Sequence, residues 1–206
     1  ALSSAASDVY KRQANSGTIV EQLTGKEPVY NLDPVLTYDY MNCCDKIPQL
    51  RVDEKYLILY AYAGRISNEE ADWIAAYAKK KNLKVYAIGG IQKCADRFVD
   101  CSPFEVLAYF RNAEEVITDT FHGSIFSVIT HRPFTTLIRK SVGNSYGNEE
   151  KLSDLLERLD LADRMTAKVE DAENINEETI DYAKVDELLK AHREVAKEYL
   201  RSNLEG

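Results

Sequence analysis

The sequence predicts an α/β fold in which a doubly wound parallel sheet is followed by C-terminal helices. Two nearly continuous apolar runs, 55–63 and 83–88, are typical of strands that are buried on both faces of a parallel sheet. Segments with helical apolar spacing separate these runs from two further strand patterns, at 115–118 and 133–138. Because strands alternate with helices along the chain, we expect the sheet to be parallel.

Local signals predict the remaining elements. A first helix is expected to end at Gly25, a residue suited to a C-terminal cap. Residues 28–36 are interpreted as a short strand and residues 37–50 as an irregular linker. Ser102-Pro103-Phe104-Glu105 combines a capping box with proline at the first helical position, which predicts a helix beginning there. Further helices are predicted over 68–81, from Phe121 onward, over 151–159 and over 179–200.

Composition excludes several classes of function. The net charge of −8 argues against a broad nucleic-acid surface, whose electrostatic footprint is basic. No apolar run reaches the length of about eighteen residues that a transmembrane helix needs. No pair of histidines and carboxylates has the spacing of a metal site, and no dinucleotide fingerprint, P-loop or nucleophile elbow is present. The cysteines, which lack zinc-site spacing, are interpreted as free thiols in a reducing cytoplasm: Cys43, Cys44, Cys94 and Cys101.

The first thirteen residues are expected to lie outside the natural sequence. Ser3–Gln13 resembles the in-frame translation of a transposase-based sequencing adapter. We therefore exclude residues 1–13 from the fold prediction and expect natural sequence to begin near Ala14. The alternative is a genuine polar, disordered tail.

The segment Glu115–Gly123 carries the main candidate site. Its strand pattern ends at Thr118 and a helix begins near Phe121, so His122 falls in the first helical turn, whose free N–H groups bind anions. Ligands of doubly wound sheets bind outside the carboxyl ends of the strands, where this segment is expected to lie. We predict His122 as the catalytic residue, because imidazole exchanges protons near neutral pH and its cation attracts phosphate. The alternative is that His122 only caps the helix or packs against neighbouring side chains.

The residues predicted to bind substrate come from the same strand end and its neighbours. Gly123 would let a ligand approach the backbone closely. The adjacent cations Arg139 and Lys140 could bind a phosphate or carboxylate. The alternative is a solvated basic pair. Arg65 and Lys93 are weaker candidates of the same kind. The full predicted set is Thr118, Asp119, Thr120, Gly123, Ser124, Gly89, Gly90, Arg139 and Lys140.

Some of the candidate residues also have a structural alternative. Asp119 could be a simple helix N-cap, and Ser124 a packing hydroxyl. His131 is expected to complement a helix dipole at a C-terminal end, and His192 to be exposed on the last helix.

Several segments, taken in order, resemble the polysaccharide pyruvyl transferases. They are Asn31–Leu36 (NLDPVL), Ser102–Glu105 (SPFE), Asn112–Gly123 (NAEEVITDTFHG), Phe126-Ser127, Arg132–Phe134 (RPF), Leu155–Leu159 (LLERL), Ala162–Arg164 (ADR) and Ile180–Tyr182 (IDY). The resemblance runs from about residue 20 to the end of the chain. It implies the Rossmann-like C-terminal half of a GT-B-like two-domain enzyme. Residues 14–50 would then be a remnant of the N-terminal domain with a linker, and 51–206 the C-terminal domain with closing helices.

The resemblance also implies an activity. Family members transfer the enolpyruvyl group of phosphoenolpyruvate onto a sugar, form a pyruvate ketal and release phosphate. It implies that His122 lies in the phosphoenolpyruvate site and that Arg139 or Lys140 contacts this donor. We therefore expect a cytoplasmic enzyme with no cofactor, whose partners are phosphoenolpyruvate, a saccharide acceptor and a missing N-terminal domain. The chain alone is expected to be inactive.

Two other functions stay open at the level of the sequence. One is a GT-B glycosyltransferase that uses a nucleotide-sugar. The other is a non-catalytic binding domain.

Overall fold

A six-stranded parallel sheet forms the centre of the protein, in a computed structural model that describes residues 14–28, 31–139 and 148–204. The strands are β1 (Tyr56–Tyr60), β2 (Lys84–Ile88), β3 (Arg97–Phe98), β4 (Glu115–Thr118), β5 (Phe134–Leu137) and β6 (Met165–Thr166). Neighbouring strands pair in parallel throughout. The order β3-β2-β1-β4-β5-β6 is that of the Rossmann fold, so the predicted doubly wound sheet is confirmed.

Helices pack on both faces of this sheet, and the described part of the chain has nine α-helices in all. They are α1 (Ala14–Thr24), α2 (Pro34–Thr37), α3 (Tyr40–Cys43), α4 (Asn68–Lys80), α5 (Pro103–Asn112), α6 (Phe121–Ile129), α7 (Glu149–Arg158), α8 (Ala172–Glu177) and α9 (Tyr182–Leu204). Leu57 of β1 packs in one core cluster with Ile74 of α4. Ile58, the next residue of β1, packs on the opposite face in a larger cluster with Ile125 of α6 and Leu155 of α7. The alternation explains why the sequence of β1 is apolar without interruption.

Serine caps set the starts of two central helices. The side-chain oxygens of Ser67 and Ser102 each accept a hydrogen bond from the backbone N–H three residues later. In return, the glutamate at that later position accepts a hydrogen bond from the backbone N–H of the serine. Both capping boxes satisfy backbone N–H groups that the first helical turn leaves without partners. The helix predicted from the Ser102 capping box is confirmed, and so is the helix predicted over 68–81 from its apolar spacing, which ends at Lys80. The capping box at Ser67 was not part of that prediction.

The predicted strand over 28–36 is wrong within the described residues. Residues 31–33 are irregular, and α2 begins at Pro34. A carboxylate oxygen of Asp33 accepts a hydrogen bond from the Val35 N–H at 2.9 Å, and proline fits the first helical position. These two residues therefore start a helical turn in an apolar stretch that looks like a strand. The predicted linker contains a second short helix, α3, capped by Asp39.

The segment before β1 packs against the C-terminal helix. Leu32, Leu36 and Ile47 are buried in the same core cluster as Leu189 of α9. Arg193 of α9 donates from Nε to the carbonyl oxygen of Leu36 at 2.8 Å. These contacts join the segment to the sheet domain, while its origin as a remnant of another domain stays a prediction.

The C-terminal helix α9 extends beyond its predicted end at residue 200. Val185, Leu189 and Ala196 are buried along one side, whereas Leu200 and Leu204 are exposed. Although α9 has 23 residues, neither it nor any other helix in the described part of the chain is long and apolar enough to cross a membrane.

Candidate active site

The strand order reverses at the pair β1 and β4. From this pair, β2 and β3 extend to one side of the sheet and β5 and β6 to the other. Open α/β sheets bind ligands at such a switch point, outside the carboxyl ends of the strands. The two loops that meet there are residues 61–67, after β1, and residues 119–120, after β4. The segment around His122 therefore lies at the edge of the sheet where the sequence predicted it.

Two buried threonines build the turn from β4 into α6. Thr118 Oγ1 donates to the carbonyl oxygen of Tyr60 at 2.7 Å, which ties β4 to β1, and accepts from the Thr120 N–H at 3.0 Å. Thr120 Oγ1 caps α6 by accepting from the Gly123 N–H at 2.9 Å. Both hydroxyls thus hold the loop in place. Their direct contact with a substrate stays a prediction.

Gly123 makes room for these threonines. A Cβ atom on Gly123 would lie 2.1 Å from Thr118 Oγ1 and 2.8 Å from Thr120 Oγ1. The requirement for glycine comes from packing inside the protein, whereas the sequence interpretation gave ligand approach as the reason. Ser124 is buried too, and its hydroxyl lies 2.8 Å from Thr136 Oγ1 of β5.

His122 is the second residue of α6 and is partly exposed. The centroid of its ring lies 5.7 Å from that of Phe121 and 5.9 Å from that of Phe126. The N–H groups of Thr120 and Gly123 are bonded within the loop, but those of Phe121 and His122 donate to no described residue. Two backbone donors and an imidazole are therefore available at the positive end of the helix dipole.

Asp119 is the buried carboxyl group of the site. It is 0% exposed, and neither carboxylate oxygen accepts a hydrogen bond from a residue that the structure describes. Burial raises the pKa of Asp119, the guanidinium groups of Arg65 and Arg139 oppose that rise, and the carboxylate of Glu70 adds to it. The N-cap alternative for Asp119 is wrong, because Thr120 caps α6.

Arg139 reaches the switch point as a member of an ion pair. Its Nη1 lies 2.6 Å from Oε1 of Glu70, and both side chains are mostly buried. The other oxygen of Glu70 accepts from the Ser67 N–H at 2.8 Å in the capping box of α4. The structure therefore groups Arg139 with Arg65, which the sequence ranked lower, and with Glu70, which it missed. Lys140 lies outside the described residues.

Asn148 is a further member of the site that sequence reasoning missed. Its side-chain oxygen accepts from the Arg139 N–H at 2.6 Å, and its amide donates to the carbonyl oxygens of Asp119 at 2.7 Å and Leu137 at 3.2 Å. Asn148 is 4% exposed; its two bonds to carbonyl oxygens are buried, and its bond from the Arg139 N–H is partly buried. They join the ends of β4 and β5 to the start of α7, and no sequence motif marks such a residue.

We expect Asn148→Ala to lower the free energy of unfolding by about 2–4 kcal/mol, because it removes the hydrogen bonds that the Asn148 side chain makes with two buried carbonyl groups and a partly buried N–H. Urea unfolding followed by circular dichroism measures the change. The control is Asn112→Ala, an exposed residue whose side chain donates to the carbonyl of Ala108 and to no other described residue. Its effect should stay near 0.5 kcal/mol. Equal midpoints for the two variants would contradict the assigned role of Asn148.

Gly89 and Gly90 lie on the far side of β1 from the His122 loop. A Cβ atom on Gly90 would lie 2.3 Å from the backbone nitrogen of Ala63, so glycine lets the loops after β1 and β2 pack together. Gly89 has a φ of +86°, in the left-handed region. Both residues have structural reasons to be glycine, and their contact with a substrate stays a prediction.

The two other histidines lie away from the switch point. His131 follows α6, stacks on Tyr182 with centroids 4.4 Å apart, and places Nε2 3.0 Å from Oδ1 of Asp186. It therefore joins α6 to α9, in addition to its expected place at a helix C-terminus. His192 is only partly exposed, and burial lowers its pKa.

Comparison with solved structures gives distant likenesses. A mutant of the O-GlcNAc transferase of Thermobaculum terrenum has 15% identity and a TM-score of 0.47, over 85% of this chain and 38% of that one. A protein described as a UDP-N-acetylglucosamine 2-epimerase of Listeria monocytogenes has 12% identity and a TM-score of 0.41, over 87% and 56%. The E. coli heptosyltransferase WaaC has 14% identity and a TM-score of 0.36, over 73% and 56%. The chain thus spans between 38% and 56% of the length of these proteins.

Comparison with protein families is more specific. No curated protein sequence matches the chain. The family model described as polysaccharide pyruvyl transferase matches residues 22–141, which is more than half of the chain. The matched region begins before α2 and ends after β5, so it includes β1, β2, β4, β5 and the whole Thr118–Gly123 turn. The chain belongs to the polysaccharide pyruvyl transferase family.

Proposed function

We propose that the chain forms the donor-binding part of an enzyme that moves the pyruvyl group of phosphoenolpyruvate onto a sugar of a cell-surface polysaccharide or its precursor. The reaction forms a pyruvate ketal and releases phosphate. The observation that carries the proposal is the position of His122. It lies inside the region matched by the family, at the start of α6 and at the switch point of the sheet.

The charges of the donor fit the groups at this edge of the sheet. Phosphoenolpyruvate carries a phosphate and a carboxylate. The N-terminus of α6, with the N–H groups of Phe121 and His122, suits one anionic group. The guanidinium groups of Arg65 and Arg139 suit the other, since arginine bonds planar and tetrahedral oxyanions with two N–H donors. Lys140 belongs to the same proposal as a further cation.

The chemistry requires protons to move between the sugar and the donor. When the ketal forms, two sugar hydroxyls lose their protons as their oxygens bond to the central carbon of the enolpyruvyl group. One proton ends on the methylene carbon, which becomes a methyl group, and the other leaves with the phosphate as its C–O bond breaks. We assign His122 to bind the phosphate and to carry a proton in this exchange, because imidazole does both near neutral pH.

Nuclear magnetic resonance of the histidine rings tests the donor site in this chain directly. The sequence contains three histidines, and the other two lie near α9 or on it. Adding phosphoenolpyruvate should shift the ring signals of His122 and leave those of His131 and His192 in place. UDP-glucose should not displace the donor. Shifts confined to His131 or His192, or displacement by UDP-glucose, would contradict the proposal and favour a nucleotide-sugar enzyme.

A further inference from the structure

Four charged side chains from four different parts of the fold meet beside the His122 turn. Arg65 comes from the loop after β1, Glu70 from α4, Arg139 from the loop after β5, and Asp119 from the end of β4. When all are ionised, two positive charges face two negative charges. An added anion with two or more charges would make this partly buried group of side chains strongly negative, which low-dielectric surroundings oppose.

The carboxylates of Glu70 and Asp119 differ in the hydrogen bonds that they accept. Glu70 accepts from Arg139 Nη1 at 2.6 Å and from the Ser67 N–H at 2.8 Å. Asp119 is fully buried, and no described residue donates to either of its oxygens. Hydrogen bonds to a carboxylate favour its charged form, and burial without them favours the neutral acid. Asp119 is therefore the carboxyl group that gives up its charge at the lowest cost.

We propose that Asp119 takes up a proton when an oxyanion binds beside Arg65 and Arg139, so that binding of the anion and protonation of Asp119 are coupled. The proton removes the negative charge that competes with the ligand for the two guanidinium groups. This inference rests on the proposed function only for the identity of the anion, the phosphate or carboxylate of phosphoenolpyruvate.

The coupling has a definite sign. Burial already raises the pKa of Asp119 above its ordinary value of 3.8 in the protein without ligand, and a bound anion raises that pKa further. Affinity for the anion is therefore greatest below the lower of these two pKa values and falls as pH rises through them. The charged groups that face Asp119 from the surrounding described elements are Arg65, Glu70 and Arg139, and His122 follows it three residues later on α6.

Sulfate is the probe for this coupling, because it stays divalent between about pH 5 and pH 8 and so brings no titration of its own. The His122→Gln variant removes the imidazole, so that a proton taken up when sulfate binds cannot be carried by His122. Calorimetric titration of sulfate into His122→Gln should give an affinity that falls with pH, by at most about tenfold per pH unit for one coupled proton. The double variant His122→Gln/Asp119→Asn should bind sulfate with an affinity that does not change with pH.

Glu70→Gln in the same His122→Gln background is the matched control. Glutamine keeps the capping box of α4 and removes the other carboxylate that faces Arg139. This variant should keep the fall of affinity with pH. The proposal is overturned if His122→Gln binds sulfate equally well at all pH values or not at all, if Asp119→Asn keeps the slope, or if Glu70→Gln abolishes it. If sulfate behaves as expected but phosphoenolpyruvate does not displace it, the proposed function fails and the coupling stands.

Discussion

His122→Ala is expected to lower the rate of pyruvyl transfer by about 10²–10⁴-fold, the range over which a positioned acid–base group contributes to catalysis. The measurement is phosphate release in an active enzyme preparation that contains this chain. We expect the loss to appear mainly in kcat, because the proton transfer occurs in the transition state, with a smaller rise in the KM for phosphoenolpyruvate from the lost phosphate contact.

His131→Ala is the matched control, since His131 lies just beyond the other end of the same helix. It contacts Tyr182 and Asp186 of α9, away from the switch point, so the variant should keep its rate and lose only some stability. A His122→Gln enzyme should lose its rate as His122→Ala does, because glutamine fills the space but cannot carry a proton. A His122→Ala enzyme with undiminished turnover would remove His122 from the chemistry.

The location of His122 could be predicted because the signals that place it are local. An apolar run that ends in Thr118 and a helical pattern that begins at Phe121 lie within a few residues of each other. The partners of the turn are not local, since Thr118 bonds to Tyr60, which lies 58 residues earlier in the chain. Sequence reasoning therefore found the segment but could not explain why it contains threonines and a glycine.

The charged residues around Asp119 were still harder to group from the sequence, because they lie far apart in the chain. Arg139 and Glu70 are 69 residues apart, and only the order of the strands brings the loops after β1 and β5 to one edge. Seen in sequence, Arg139 is a cation after a strand. In the fold it is an ion-pair partner and its backbone N–H bonds to Asn148. Pairing of this kind follows from topology, which the pattern of apolar residues predicts only in outline.

Element lengths explain which parts of the sheet were predicted. β1, β2, β4 and β5 each have four or five residues and a buried pattern that the sequence displays. β3 and β6 have two residues each, too few to give a period, so neither was predicted. Both lie at the edges of the sheet, away from the switch point, which is why the site could be located without them.

Gly123→Ala is expected to lower the free energy of unfolding by about 3–5 kcal/mol, from overpacking of about 1–3 kcal/mol together with the loss of buried hydrogen bonds. The new Cβ would lie 2.1 Å from Thr118 Oγ1 and 2.8 Å from Thr118 Cβ, so the Thr118 side chain must move. Moving it breaks its bond to the carbonyl of Tyr60 and removes this partner from a partly buried group. Urea unfolding measures the loss.

Gly64→Ala separates this packing effect from the general cost of replacing a glycine. Gly64 has a φ of +78° with no atom within 4 Å of the added Cβ, so its substitution should cost only about 1–2 kcal/mol of backbone strain. In Gly123→Ala, the amide of Gly123 should also exchange its hydrogen faster, because the cap from Thr120 Oγ1 is disturbed. If both variants lowered the free energy of unfolding by the same small amount, the Thr118 side chain could change its conformation at little cost. The bond between β4 and β1 would then not fix the start of α6, and the position of His122 would need another cause.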